Sequence, residues 1–237
     1  MFYIRLADIN IRIDNKYEYV RNMCKEYITD SDDISMQVSV SDSDIEKEQK
    51  DSYKSQGIEY PLPYCESICI YREISRQLIH YDAFLMHGAC IEMGGRVYAF
   101  CAKSGTGKST HLMYWKQVYG DKAHIINGDK PIIRLVDNTF MVYGTPWCGK
   151  EGWNINTCAP LYAICFLKRG ENHIERIVAK EAISQLMHQV ILPKNQTEMI
   201  KYLNLLDRLL TEIPSYEMHC SMNNEAAIVA YEGMNVK

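Results

Sequence analysis

Residues 99–110 read AFCAKSGTGKST and follow GGRVY at 94–98. Glycine fills only 13 of the 237 positions, yet two glycines, a lysine and several hydroxyls crowd together here. The phosphate-binding template G-x-x-x-x-G-K-[ST] comes after a strand and opens a helix. Residues 102–109 meet it everywhere except the first position, where Ala102 stands in place of glycine. Residues 97–101 predict the strand and residues 109–118 the helix. With average glycine usage, Gly-x-Gly-Lys-[Ser/Thr] arises by accident in roughly one chain in a hundred of this length. The stretch therefore predicts a nucleotide site in an α/β domain.

The residue types follow from the chemistry of a polyphosphate. Glycines let backbone N–H groups converge on one concavity without a Cβ in the way. Phosphate oxygens then rest on a helix N-terminus. The expected binding set is Ser104, Gly105, Thr106, Gly107, Lys108, Ser109 and Thr110. Lys108 reaches the β and γ phosphates, and the Ser109 hydroxyl ligates Mg²⁺. A methyl at Ala102 requires only that this residue avoid positive φ. Lys103, inside the loop, is expected to point to solvent, with contact to a phosphate as the alternative.

Outward from the loop, composition narrows the function classes. Hydrophobic residues make up 47% of the chain and charged residues 24%, which suits a soluble globular protein. A net charge of −4 offers no broad basic surface for nucleic acid. Nine cysteines without a CxxC pair match neither a disulfide framework nor a zinc pattern, so buried free thiols are expected. The start, MFYIRLADIN, does not read as a signal peptide, and no segment reaches the ~20 apolar residues that span a bilayer. A reducing, cytoplasmic location and no membrane partner are expected.

The organisation predicts a small N-terminal α/β region with a connecting helix over residues 1–81 and a nucleotide-binding domain over 82–237. Residues 2–13 alternate as one strand, and residues 17–28 place Tyr17, Val20, Cys24 and Tyr27 on one helical face. Residues 29–55 are polar and acidic, reading as a solvated face or loose connection, with a brief strand at Met36, Val38 and Val40 and a charged helix over 44–50. Pro63 opens a helix running to about Tyr81. In the second region, residues 84–93 and 96–101 flank Gly94-Gly95 as a hairpin. Residues 124–127, 132–136 and 139–143 predict strands, and the apolar run 161–167 a central strand covered on both faces. Met199, Leu203, Leu206, Leu210 and Ile213 form a helical stripe, and residues 224–231 a last helix.

A phosphate loop needs an acid for its metal. Residues 125–129, IINGD, end an apolar run in a polar turn, which makes Asp129 the candidate metal ligand or base, although Asn-Gly-Asp is also good turn chemistry. The cluster YGTPWCGK at 143–150 reads equally as an acceptor-side loop carrying Lys150 and as a turn pinned by a buried Trp147.

The stretch HGACIEMGGRVYAFCAKSGTGKST, residues 87–110, resembles the strand, hairpin and phosphate loop of HPr kinase/phosphorylase. The core SGTGKST is also similar to that of ATP-dependent phosphoenolpyruvate carboxykinase. The resemblance covers about residues 84–135 and implies a P-loop kinase domain of this type. It implies that His87 lies near the transferring phosphate and assists proton movement, while Lys108 and Ser109 hold nucleotide and metal. The paired acids of the family would fall on Gly128 and Asp129, so one acid is missing. Either Asp129 serves as both ligand and base, or His87 takes the base role, or turnover is slow.

The expected activity is ATP- and Mg²⁺-dependent phosphoryl transfer to a hydroxyl of a protein, peptide or small molecule. The catalytic candidates are His87, Lys108, Asp129 and Lys150, with Ser109 and Asp129 on the metal. A phosphoenolpyruvate carboxykinase-like reaction and a nucleotide-binding module without catalysis are the alternatives. HPr kinases assemble into rings, so the resemblance admits a homo-oligomer, but the surfaces that build one are not legible in this sequence.

Overall fold

Alternating apolar residues separated by a short polar turn favour a hairpin over one long strand. Accordingly, residues 2–13 do not form the single strand expected. Strand β1 (Phe2–Leu6) and strand β2 (Ile9–Asp14) pair antiparallel, and Ala7 and Asp8 turn between them at φ 50° and 58°. The turn keeps Ile4, Leu6, Ile9, Ile11 and Ile13 buried. The computed structural model describes residues 1–31 and 33–236. It divides into two compact units, Met1–His80 and Tyr81–Lys237.

In the first unit, helix α1 (Glu18–Met23) ends earlier than expected and passes into a 3₁₀ turn, Lys25–Tyr27. Val20, Cys24 and Tyr27 are buried as their spacing predicts, whereas Tyr17 precedes the helix. Strand β3 (Met36–Ser39) lies parallel to β2. Helix α2 (Asp42–Gln56) is longer than expected and replaces the loose connection. Its start is fixed by a capping box between Ser41 and Asp44, and it buries Ile45, Glu48 and Ser52. Helix α3 (Leu62–Gln77) carries proline in its first turn and continues as a 3₁₀ turn to Tyr81. Its fully buried Glu66 accepts from the backbone N–H groups of Lys16 and Tyr17 at 2.5 and 3.1 Å, which compensates its burial.

The second unit is a mixed α/β fold around a curled sheet. Residues 84–93 form not one strand but two, β4 (Ala83–Leu85) and β5 (Ala89–Met93). Strand β6 (Arg96–Cys101) completes the predicted hairpin with β5. Helix α4 (Lys108–Tyr119) leads to strands β7 (Ala123–Asn127), β8 (Ile132–Val136), β9 (Thr139–Tyr143) and β10 (Cys158–Arg169). Then come strand β11 (His173–Ile177), helices α5 (Ala179–Leu186) and α6 (Gln196–Glu212), strand β12 (Ser215–Cys220) and helix α7 (Glu225–Asn235). Of these, β11, α5 and β12 escaped the sequence reading. The main strand order is β4-β8-β9-β10-β6-β5-β7, with β12 also on β10 and β11 on β12. Strand β10 is central, parallel to β6 and β12, and buries Ala163 to Leu167 continuously.

Helix α6 buries Tyr202, Leu205, Leu206, Leu209 and Leu210 and leaves Leu203 41% exposed, so its inner face is rotated from the expected stripe. The Tyr202 ring packs edge-on against Phe84 at 5.9 Å and takes the place assigned to Leu203. All nine cysteines are free, and Cys24, Cys65, Cys90, Cys101 and Cys165 are buried, as expected of small hydrophobes. Among the described residues no helix is long and apolar enough to cross a membrane.

Under α4 lies an aromatic core. Trp115 packs against Tyr98, Phe100, Tyr119 and Tyr231 with centroids between 5.2 and 5.8 Å. Such pairs contribute about 0.5–1.5 kcal/mol each beyond burial. The indole N–H of Trp115 donates to His111 Nε2 at 3.0 Å, which requires the neutral ring. Burial pushes the His111 pKa down to about 3. An unfolded histidine titrates near ~6.5. The folded state therefore binds fewer protons below that pH, and stability is lost as pH falls from ~6.5 towards the folded value. Urea unfolding is expected to show this residue costing about 2 kcal/mol between pH 7 and pH 5. The variant His111→Gln should lack that increment, and an unchanged pH slope in the variant would refute the assignment.

Candidate functional site

The loop between β6 and α4 is built for close approach to its backbone. Gly105 and Gly107 take φ 78° and 121°, where a side chain would be strained. Ala102, the departure from the template, is not among the described residues with positive φ. No side chain caps the N-terminus of α4, which leaves its first-turn amides without intrahelical partners. The Arg169 guanidinium, at the end of β10, donates to Gly105 O at 2.6 Å and ties the loop to the sheet. Ser104 and Gly105 are exposed, Thr106, Gly107, Ser109 and Thr110 are half-buried, and Lys103 is exposed.

Lys108 behaves differently from a mobile surface cation. It is only 9% exposed, and its ammonium turns back to donate to Ala102 O at 3.0 Å. The same ammonium lies 3.3 Å from His87 Nε2. Burial lowers the Lys108 pKa, with the Asp129 charge opposing that shift.

His87 sits in the break between β4 and β5. Its N–H donates to Gln189 O at 2.6 Å, and the next N–H, of Gly88, donates to Asp129 O at 3.0 Å. A Cβ at Gly88 would lie 3.1 Å from Phe100 O and 3.3 Å from Cys101 Sγ, so a small residue suits this crossing. The break brings His87 Nε2 to 3.2 Å from Asp129 Oδ1.

Asp129 is held by its turn. Asn127, fully buried, accepts from the N–H groups of Asp129 and Lys130 at 2.9 and 2.7 Å through its side-chain oxygen. Its amide donates to Thr145 O at 2.9 Å, and the Thr145 hydroxyl donates to Lys130 O at 2.7 Å. The second Asp129 oxygen lies 3.1 Å from Lys130 Nζ. Burial alone would raise the Asp129 pKa, but the His87 hydrogen bond and the Lys130 charge outweigh it and hold the carboxyl below its usual range. The turn reading and the site reading of Asn-Gly-Asp are thus compatible.

His87, Lys108 and Asp129 therefore form one chain of contacts beside the glycine loop. One ring nitrogen cannot accept from Lys108 and donate to Asp129 at once, so the tautomer of His87 selects between the two bonds. Lys150 is outside this chain of contacts. Its side chain is 91% exposed, with its ammonium 4.0 Å from the Glu151 carboxylate. The surrounding loop is closer, since a Cβ at Gly149 would sit 3.2 Å from Asp129 Cβ. Trp147 is 7% exposed, which agrees with the reading of a turn pinned by a buried Trp.

Position 128 has no room for a side chain. A Cβ at Gly128 would lie 2.8 Å from Cys148 O, which no real side chain tolerates. Asn127, Lys130, Thr145, Arg169 and Gln189 were not identified from sequence. For Asn127, the Asn-x-Asp spacing was an available turn signal. Lys130 pairs with its neighbour Asp129, while Thr145, Arg169 and Gln189 act through contacts with residues far away in the chain.

No family model and no curated protein matches the chain. Among solved structures it is similar to the HPr(Ser) kinase/phosphatase from Coxiella burnetii. The TM-score is 0.32 and the identity 9%, over 54% of this chain and 98% of that one.

Proposed function

We propose that this chain is an ATP- and Mg²⁺-dependent phosphotransferase acting on a hydroxyl. One observation carries the reading: Lys108 and Asp129 both meet His87 Nε2 beside an uncapped helix start that follows a glycine loop. A triphosphate on the loop amides would draw the Lys108 ammonium off Ala102 O onto phosphate oxygens, where its charge is neutralised. Asp129, ionised at neutral pH, would take the acceptor hydroxyl proton, with His87 holding the carboxylate in place. Phosphoryl transfer relies mainly on positioning and charge, so these few groups suffice.

Among the described residues no group of three His, Cys, Asp or Glu side chains is placed to hold a metal ion. Magnesium commonly takes one or two carboxylates together with nucleotide phosphates, so it does not require such a group. Ser109 and Asp129 would hold it, with Asp129 giving up Lys130 or His87 from one oxygen. When bound, the ion supplies charge neutralisation on the phosphates.

Isothermal titration of MgATP into the full chain, followed by release of labelled phosphate from ATP with water as acceptor, tests the reading. Asp129→Asn keeps the shape of the side chain and removes its charge. It is expected to lower turnover by roughly 10²- to 10⁴-fold and to weaken MgATP binding through the lost magnesium contact. A wild-type chain that does not bind MgATP overturns the proposal. Binding with no turnover by the wild type would leave a nucleotide-binding module instead, consistent with glycine at position 128.

A further inference from the structure

The glycine loop separates two cavities. One, of about 400 Å³, lies on the α4 side against Thr106, Gly107, Thr110, Tyr114, Cys220 and Met222. The other, of about 330 Å³, lies on the opposite side of the loop. Its wall gathers Lys103, Lys168, Arg169 and His188 with the carboxamides of Gln185 and Gln189. Among the described residues no carboxylate lines it, and Glu217, bonded to Lys168 and to the Gln185 carboxamide, lies outside the lining.

The cationic side chains of this wall keep free capacity. Arg169 gives one nitrogen to Gly105 O, and a guanidinium has five N–H donors. Lys168 is paired with Glu217 at 2.6 Å and is still 48% exposed. Gln189 joins the cavity wall to the main chain of His87, whose backbone N–H donates to the Gln189 oxygen at 2.6 Å, and Ala102, which accepts from the Lys108 ammonium, lines the same wall. Gln189 is 8% exposed, and its side-chain oxygen is buried without a partner. A turn about the terminal torsion would present that oxygen to an O–H donor.

We infer that this second cavity is the acceptor subsite, and that the acceptor is a small alcohol carrying an anionic group, a carboxylate or a phosphate. The inference rests on the nucleotide reading above. The anionic group faces Lys103, Lys168 and Arg169, and the hydroxyl faces His87 and Asp129. The hydroxyl oxygen forms the new bond to the γ phosphorus as the bond from that phosphorus to the β–γ bridging oxygen breaks. ADP leaves with the electron pair, and the hydroxyl proton passes to the Asp129 carboxylate.

The test incubates the full chain with MgATP and, in separate arms, D-glycerate, glycerol 3-phosphate or uncharged glycerol, and follows new phosphoesters by phosphorus NMR. Product in the glycerate arm, the glycerol 3-phosphate arm or both, with at least tenfold less from glycerol, supports the inference and identifies which anion is preferred. Lys168→Met should then raise KM for that alcohol about tenfold, with kcat and MgATP affinity unchanged; the retained affinity reports that the variant is folded. Equal product from glycerol, or no product from either anionic alcohol by a chain that binds MgATP, overturns this inference alone. Failure to bind MgATP removes the nucleotide reading and the inference with it.

Discussion

Lys108→Met is expected to raise the dissociation constant for MgATP by roughly 100-fold while leaving the ligand-free protein as stable as the wild type, or more so. The two halves of this result have separate causes. Hydrogen bonds to charged groups are each worth about 1.5–3 kcal/mol, so two lost phosphate contacts cost at least about 3 kcal/mol, or two decades in affinity at the lower end. In the free protein the Lys108 ammonium is nine-tenths buried, and its neighbours Ala102 O and His87 Nε2 only partly replace water. Burial lowers its pKa, the sign of a charge held at a cost. Methionine keeps the length and removes that cost. Calorimetric titration with MgATP and thermal unfolding without it measure both halves. Unchanged affinity would remove Lys108 from any phosphate site, and a large loss of ligand-free stability would make it a structural residue instead.

Gly144→Ala is expected to destabilise the second unit by about 3–5 kcal/mol or prevent folding, the range reached when a substitution forces backbone apart. A Cβ there would lie 1.9 Å from Ile155 O and 2.9 Å from Ile126 O, and neither atom belongs to a flexible side chain. Relief requires separating the chain around two bonds, Gly144 N–H to Thr157 O at 3.0 Å and Ile155 N–H to Ile126 O at 3.0 Å. Ile126 directly precedes Asn127, so the shift would also loosen the turn that carries Asp129. The comparison variant is Gly95→Ala, at φ 77° with nothing within 4 Å of its Cβ, where the left-handed backbone alone costs about 1–2 kcal/mol. Urea unfolding of the two variants separates collision from conformational strain. Equal losses would mean that the crossing at Gly144 relaxes freely.

Much of the fold was legible because its signals are local. The hairpin at Gly94-Gly95, the glycine loop, the start of α4 and the apolar run of β10 each depend on neighbours within a few residues. Where two local patterns competed, sequence could not arbitrate. Residues 2–13 are the exception: the apolar positions pass from even (Phe2, Ile4, Leu6) to odd (Ile9, Ile11, Ile13) at Ala7-Asp8, a signal the single-strand reading overlooked, and the hairpin buries both sets. On α6, adjacent rows of leucine offered two inner faces, and the packing of Tyr202 on Phe84 chose between them.

The sequence by itself determined that a glycine loop with Lys108, Ser109 and Thr110 stands between a strand and a helix, since strand, loop and helix are contiguous in the chain. Tertiary structure alone decided which distant side chains meet that loop. The break after β4 and the turn after β7 bring His87 to Asp129, the crowding by Cys148 O leaves no room for a side chain at position 128, and Lys150 stays in solvent. The physical reason is that sheet order and close packing act between residues far apart in the chain, where periodicity and turn chemistry carry no information.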